Sequence, residues 1–89
     1  MAVTIQLPAS MRRFMADQER LDVEAGTVGE ALEALCGRCE ALRERIFKPN
    51  GKPRPSVTFF VNNRQPAAKP DTGLSDGDTL VVLQPVGGG

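Results

Sequence analysis

Two places in this 89-residue chain carry groups able to do chemistry: the pair Cys36-Gly37-Arg38-Cys39, and the carboxylate of Gly89 that closes the run Leu83-Gln84-Pro85-Val86-Gly87-Gly88-Gly89. A Cys-x-x-Cys pair becomes redox-active when its thiolate sits at a helix N-terminus, where free amides and the dipole favour negative charge. Here the pair falls near the C-terminal end of an apolar periodic stretch, where the same dipole opposes a thiolate. A structural zinc wants four ligands, and the chain has two cysteines and no histidine. Packing of Cys36 in the core, with Cys39 incidental, is the favoured reading, and a zinc ion shared between chains stays open.

The missing residue types narrow the chemistry further. Without His there is no Ser-His or Cys-His nucleophile pair and no imidazole base. No GxxxxGK or GxGxxG run is present to cradle phosphates, so ATP or NAD would have to be bound by a partner. The chain is not expected to be an enzyme, nor to bind a metal or cofactor by itself. Lys plus Arg and Asp plus Glu balance at 11 each, which leaves no global field to attract nucleic acid or an anionic membrane. The opening MAVTIQLPAS is too short and too alternating for a signal segment, and no apolar run approaches a membrane span. A cytoplasmic protein, monomeric when free, is expected.

Gly89 remains. Five residues from Pro85 reach at most about 17 Å, and glycine, lacking a Cβ, fits a channel lined by another protein's backbone. The terminal carboxylate, with no side chain beside it, can then serve as a substrate. The alternative is a frayed end with no role.

The elements that must carry this tail can be read from periodicity. Val3, Ile5 and Leu7 alternate with Thr4 and Gln6, predicting a strand that Pro8 ends, and Leu21 and Val23 predict its hairpin partner after a polar loop. Thr27-Val28-Gly29-Glu30 reads as a capping box. Behind it Val28, Ala31, Leu32, Leu35 and Cys36 form one apolar stripe of a helix, which should break near Cys39 before a short helical turn from Ala41 to Phe47. KPNGKPRPS is a loop. A strand with Val57, Phe59 and Val61 on one face follows, then an Asn62-Asn63 turn and a possible short edge strand before Pro66. The last strand, Thr79 to Gln84, is apolar on both faces.

This order predicts an α+β, ubiquitin-like β-grasp domain over residues 1–84, with a mixed sheet of four to five strands, one main helix crossing it, and a flexible tail at 85–89. With Leu80 and Val82 turned to the helix, Val81 and Leu83 face away, as Phe60 does on its strand. Such an apolar patch marks a protein contact, or else is covered by loop residues such as Phe14 or Met15. Arg12, Arg13, Lys48, Lys52 and Arg54 read as solvated charges, with docking to an acidic partner as the alternative.

The segments VTIQLP, TVGEALEAL, LRERIF, FFVNN, LSDGDTLVVLQPV and the terminal GG together resemble the ubiquitin-like sulfur carriers of the ThiS/MoaD superfamily. Among these, the long MRRFMADQERLDVEAG hairpin region and the FKPNGKPRP insertion are most similar to the carrier of bacterial cysteine biosynthesis. The resemblance implies that an E1-like enzyme uses ATP to adenylate Gly89, that a sulfur donor replaces AMP to leave a thiocarboxylate, and that a biosynthetic enzyme takes the sulfur. That acceptor would be cysteine synthase-like, with pyridoxal phosphate (PLP) as its own cofactor, or another synthase, including those of thiamin or secondary-metabolite chemistry. It also implies that Pro85, Val86, Gly87 and Gly88 are read by partners as the tail, and that Leu83, with Val81 and Phe60, meets the E1-like enzyme. Gly87 departs from the family by making the tail a triple glycine. The small subunit of molybdopterin synthase, a protein modifier joined to lysines through Gly89, and a plain interaction domain are the competing readings.

Overall fold

The computed structural model describes residues 2–62 and 68–84. The elements are β1 (Ala2–Gln6), α1 (Ala9–Arg12) running into a 3-10 turn (Arg13–Met15), β2 (Arg20–Glu24), α2 (Val28–Arg38), α3 (Ala41–Ile46), β3 (Thr58–Val61) and β4 (Thr79–Leu83). The strands make one mixed sheet in the order β2-β1-β4-β3. β1 runs antiparallel to β2 and parallel to β4, and β3 is antiparallel to β4. This is the predicted β-grasp, with the first and last strands at its centre as expected. The short edge strand expected after Asn62-Asn63 falls outside the described residues, as does the tail at 85–89.

Alternation decides what is inside. Val3, Ile5, Leu21, Val23, Phe59, Leu80 and Val82 turn from one sheet face into the core, where they meet Val28, Ala31, Leu32, Leu35 and Cys36 of α2 and Leu42 and Ile46 of α3. Each of those α2 residues belongs to the stripe at spacings of three and four that buries a helix face. The start of α2 is capped from both sides. Thr27 Oγ1 accepts from the Glu30 amide at 3.2 Å, while Glu30 Oε1 accepts from the Gly26 amide at 2.7 Å. The carboxylate therefore reaches one residue beyond the cap position that the capping-box reading assigns it. α2 ends at Cys39, whose extended backbone separates it from α3 as expected.

The loop between β1 and β2 differs from its prediction. It is not merely polar: it folds into α1 and the 3-10 turn, and Met11 is fully buried in the core. Phe14 and Met15 pack against that core too. Met11, Phe14 and Met15 stand three and four apart, a helical signal that is too short to outweigh the surrounding polar residues.

The Asp76-Gly77-Asp78 turn sets the register of the central strands. The Ala2 amide donates to Asp76 Oδ1 at 2.9 Å, the Gly77 amide to Ala2 O at 2.8 Å and the Thr4 amide to Asp78 O at 2.9 Å. Gly77 takes φ +88°, a left-handed value that glycine adopts without a Cβ clash. The turn thus aligns Thr4 with Thr79 and Gln6 with Val81. Consequently β1 and β4 finish at the same end of the sheet, and the chain leaves β4 beside α1.

Candidate functional site

Residues opposed across neighbouring strands share a sheet face. On the face away from α2, the pairs Gln6 with Val81, Phe60 with Val81 and Thr58 with Leu83 place all three predicted contact residues, Val81, Leu83 and Phe60, together. Towards β2 the same face becomes polar, with Thr4 Oγ1 donating to Asp22 Oδ1 at 2.8 Å. The apolar part therefore lies on β3 and β4, next to the start of the tail.

Exposure within that patch is uneven. Leu83 is 46% exposed, and Phe60 is half-buried. Val81, expected to be exposed, is not: only 6% of it reaches solvent. Its place on a central strand explains the difference, because the longer Gln6 and Phe60 flank it on both sides. Val81 lies beneath the patch rather than on its surface. Leu83 stays half exposed rather than covered as the alternative reading has it, and Phe14 packs against the core. Its ring carries the Arg13 and Arg45 guanidinium groups at 5.2 and 5.0 Å from the centroid, a cation–π arrangement.

An open groove of ≈ 580 Å³ runs beside Leu83 and Phe60, closed on its far side by Pro8, Ala9 and Arg12 and continued by Thr58 and Gln84. Gln84 is the last described residue before Pro85. Its side chain is held from α1, where Ser10 Oγ donates to Gln84 Oε1 at 2.8 Å. Arg12 Nε donates to Leu7 O at 3.2 Å, and its guanidinium lies 3.7 Å from Glu19. Arg12, read from sequence as a solvated charge, thus lines the groove. Ser10 and Gln84 carried no sequence signal, since their separation in the chain exceeds any periodicity. The arrangement offers an apolar floor with a cation and amide donors at its rim, at the root of the predicted tail. Pro85, Val86, Gly87, Gly88 and Gly89 themselves lie outside the described residues.

The cysteine pair sits elsewhere. Cys36 is fully buried in the core, and burial pushes its thiol from 9.0 up to about 11, although Arg43 opposes the shift. A thiol in that position packs as a small hydrophobe and resists forming the thiolate that redox or metal chemistry needs. Cys39, half-buried, donates from Sγ to Phe14 O at 3.3 Å. Both cysteines are free.

Comparison with known proteins places this geometry in context. The ThiS family model matches residues 5–89. Sulfur carrier protein CysO of Mycobacterium tuberculosis is 27% identical over 93 residues, covering 100% of both chains. Small archaeal modifier protein 1 of Haloferax volcanii is 37% identical over 71 residues, 79% of each chain. The crystal structure of that organism's SAMP1 superposes with a TM-score of 0.88 at 29% identity, covering 100% of both chains. A chain of the Amycolatopsis orientalis BexX/CysO complex shares the fold, with a TM-score of 0.85 at 24% identity and coverage of 98% and 99%.

Proposed function

The chain belongs to the ThiS family, and from that premise we propose that it is a sulfur carrier whose Gly89 carboxylate is activated by an E1-like enzyme and converted to a thiocarboxylate. The observation that carries this reading is that the family match runs through residue 89, so it includes the group that would react. Support comes also from the groove at the base of the tail, where a half-exposed leucine and an arginine border the point at which the chain leaves β4.

The chemistry asks little of the carrier itself. A carboxylate is a poor electrophile. The partner's ATP converts it to an acyl-adenylate with release of pyrophosphate, and the sulfur donor then attacks the carbonyl carbon. The C–O bond to AMP breaks as the C–S bond forms, leaving a thiocarboxylate on Gly89. An acceptor enzyme, cysteine synthase-like or another synthase, joins the sulfur to its own substrate, and water then cleaves the C–S bond to the carrier and returns the carboxylate. Nucleotide, sulfur donor and any PLP belong to the partners. This chain supplies the reacting end through Pro85, Val86, Gly87 and Gly88, and the docking surface through Leu83 and Phe60, over Val81.

A second reading has its own support in the 37% identity to the Haloferax volcanii modifier: attachment of Gly89 to lysines of other proteins. Intact-mass measurement after incubation with the cognate E1-like enzyme, ATP and sulfide separates the two. Exchange of oxygen for sulfur adds about 16 Da and indicates a carrier. Adducts of high mass on lysines would indicate a modifier, and an unchanged mass would refute both. Deletion of Gly89 should abolish loading while the fold persists. Loading that survives the deletion would overturn the proposal.

A further inference from the structure

We infer that Ser10 and Gln84 are positioning residues that aim the tail, Ser10 acting through the Gln84 side chain; this deepens the carrier reading and rests on it. The fixed side of the contact is α1, anchored by the fully buried Met11 next to Ser10 and by the Arg12 Nε bond to Leu7 O. The other side is Gln84, whose Oε1 accepts the Ser10 hydroxyl at 2.8 Å. Leu83 is the last β4 residue in the ladder with β3, so Gln84 lies past the sheet's own hydrogen bonds. No ladder pair depends on the contact. What it does hold is the Gln84 side chain against α1, at the groove that Gln84 itself lines. Gln84 is constrained a second time because it precedes Pro85, which disfavours the helical region for the residue before it. A tail whose root is already aimed loses less freedom on entering a partner's channel, and that gain falls on binding rather than on the chemical step.

The test is steady-state pyrophosphate release by the E1-like partner with wild-type carrier, Ser10→Ala, Gln84→Ala, the double variant, and Ser10→Thr, which keeps the hydroxyl. Ser10→Ala and Gln84→Ala should each raise KM for the carrier about two- to tenfold, the range of one net hydrogen bond, with kcat within about twofold. The double variant should match either single one, because the same bond is lost once. Ser10→Thr should retain the wild-type KM. Unchanged KM in both single variants, or effects that multiply in the double, would overturn the inference. Wild-type carrier that releases no pyrophosphate would overturn the carrier reading instead. The clamp is then judged without a partner, by the NMR order parameter of the Gln84 amide. A fall in Ser10→Ala upholds it, and no change overturns it.

Discussion

Truncating Leu83 to alanine distinguishes a docking residue from a core residue. Leu83 ends the β3–β4 ladder, lines the groove and is 46% exposed, so little more than half of it leaves water when the chain folds. Full burial of a leucine contributes roughly 1.5–3 kcal/mol. On that scale Leu83→Ala should cost the free protein about 1 kcal/mol, a fall in melting temperature of about 4–8 °C for a domain of this size. The still exposed part is what a partner can cover. Its loss should weaken binding by about another 1 kcal/mol, which is roughly fivefold in Kd. Leu80, three residues earlier on β4 and so on the opposite face, is fully buried and serves as the control: Leu80→Ala should cost about 2–5 kcal/mol. Urea unfolding of the free variants gives the first pair of numbers, and titration calorimetry against the E1-like enzyme gives the second. Stability loss in Leu83→Ala equal to that of Leu80→Ala would mean Leu83 is core. Unchanged Kd would remove the groove as the docking surface.

Two further outcomes test other parts of the structure. The folded state holds the Cys36 proton up to about pH 11 whereas the unfolded chain releases it near 9.0, so stability is retained below pH 9 and lost as pH rises towards 11, by about 2–3 kcal/mol in full. Urea unfolding across this range under reducing conditions should show a steeper fall for wild type than for Cys36→Ala, and equal slopes would refute the buried thiol. Gly77→Ala meets no atom within 4 Å of the added Cβ, so its cost is the backbone alone. At φ +88° that should be about 1 kcal/mol or somewhat more, read as a lower urea midpoint, and a midpoint equal to wild type would refute the left-handed turn.

The β-grasp order was legible because each main element has its own local signature. β1 and β2 alternate, α2 repeats at three and four behind Thr27, and β4 is apolar on both faces. α1 was not, since four residues hold too little periodicity to stand out, and only the buried Met11 shows that the turn belongs to the core. The orientation of Val81, Leu83 and Phe60 followed from the period of two along a strand. Their exposure did not follow, because it depends on which strands lie alongside. Cys36 was read as core from its place on the stripe, and its burial agrees with that reading.

The sequence by itself determined the alternation, the helix stripe, the capping residues, the lack of histidine and the glycines that end in Gly89. These are properties of single residues and short spacings, and they act before any long-range contact forms. Only the tertiary structure decided that Val81 is covered by Gln6 and Phe60, that Arg12 faces the groove, and that Ser10 holds Gln84. The contacts of Gln6, Arg12 and Ser10 depend on the parallel pairing of β1 with β4, which brings the end of β1, and α1 behind it, beside the end of β4. No local pattern encodes that meeting, because the residues involved are separated by most of the chain and are joined only once the sheet has closed.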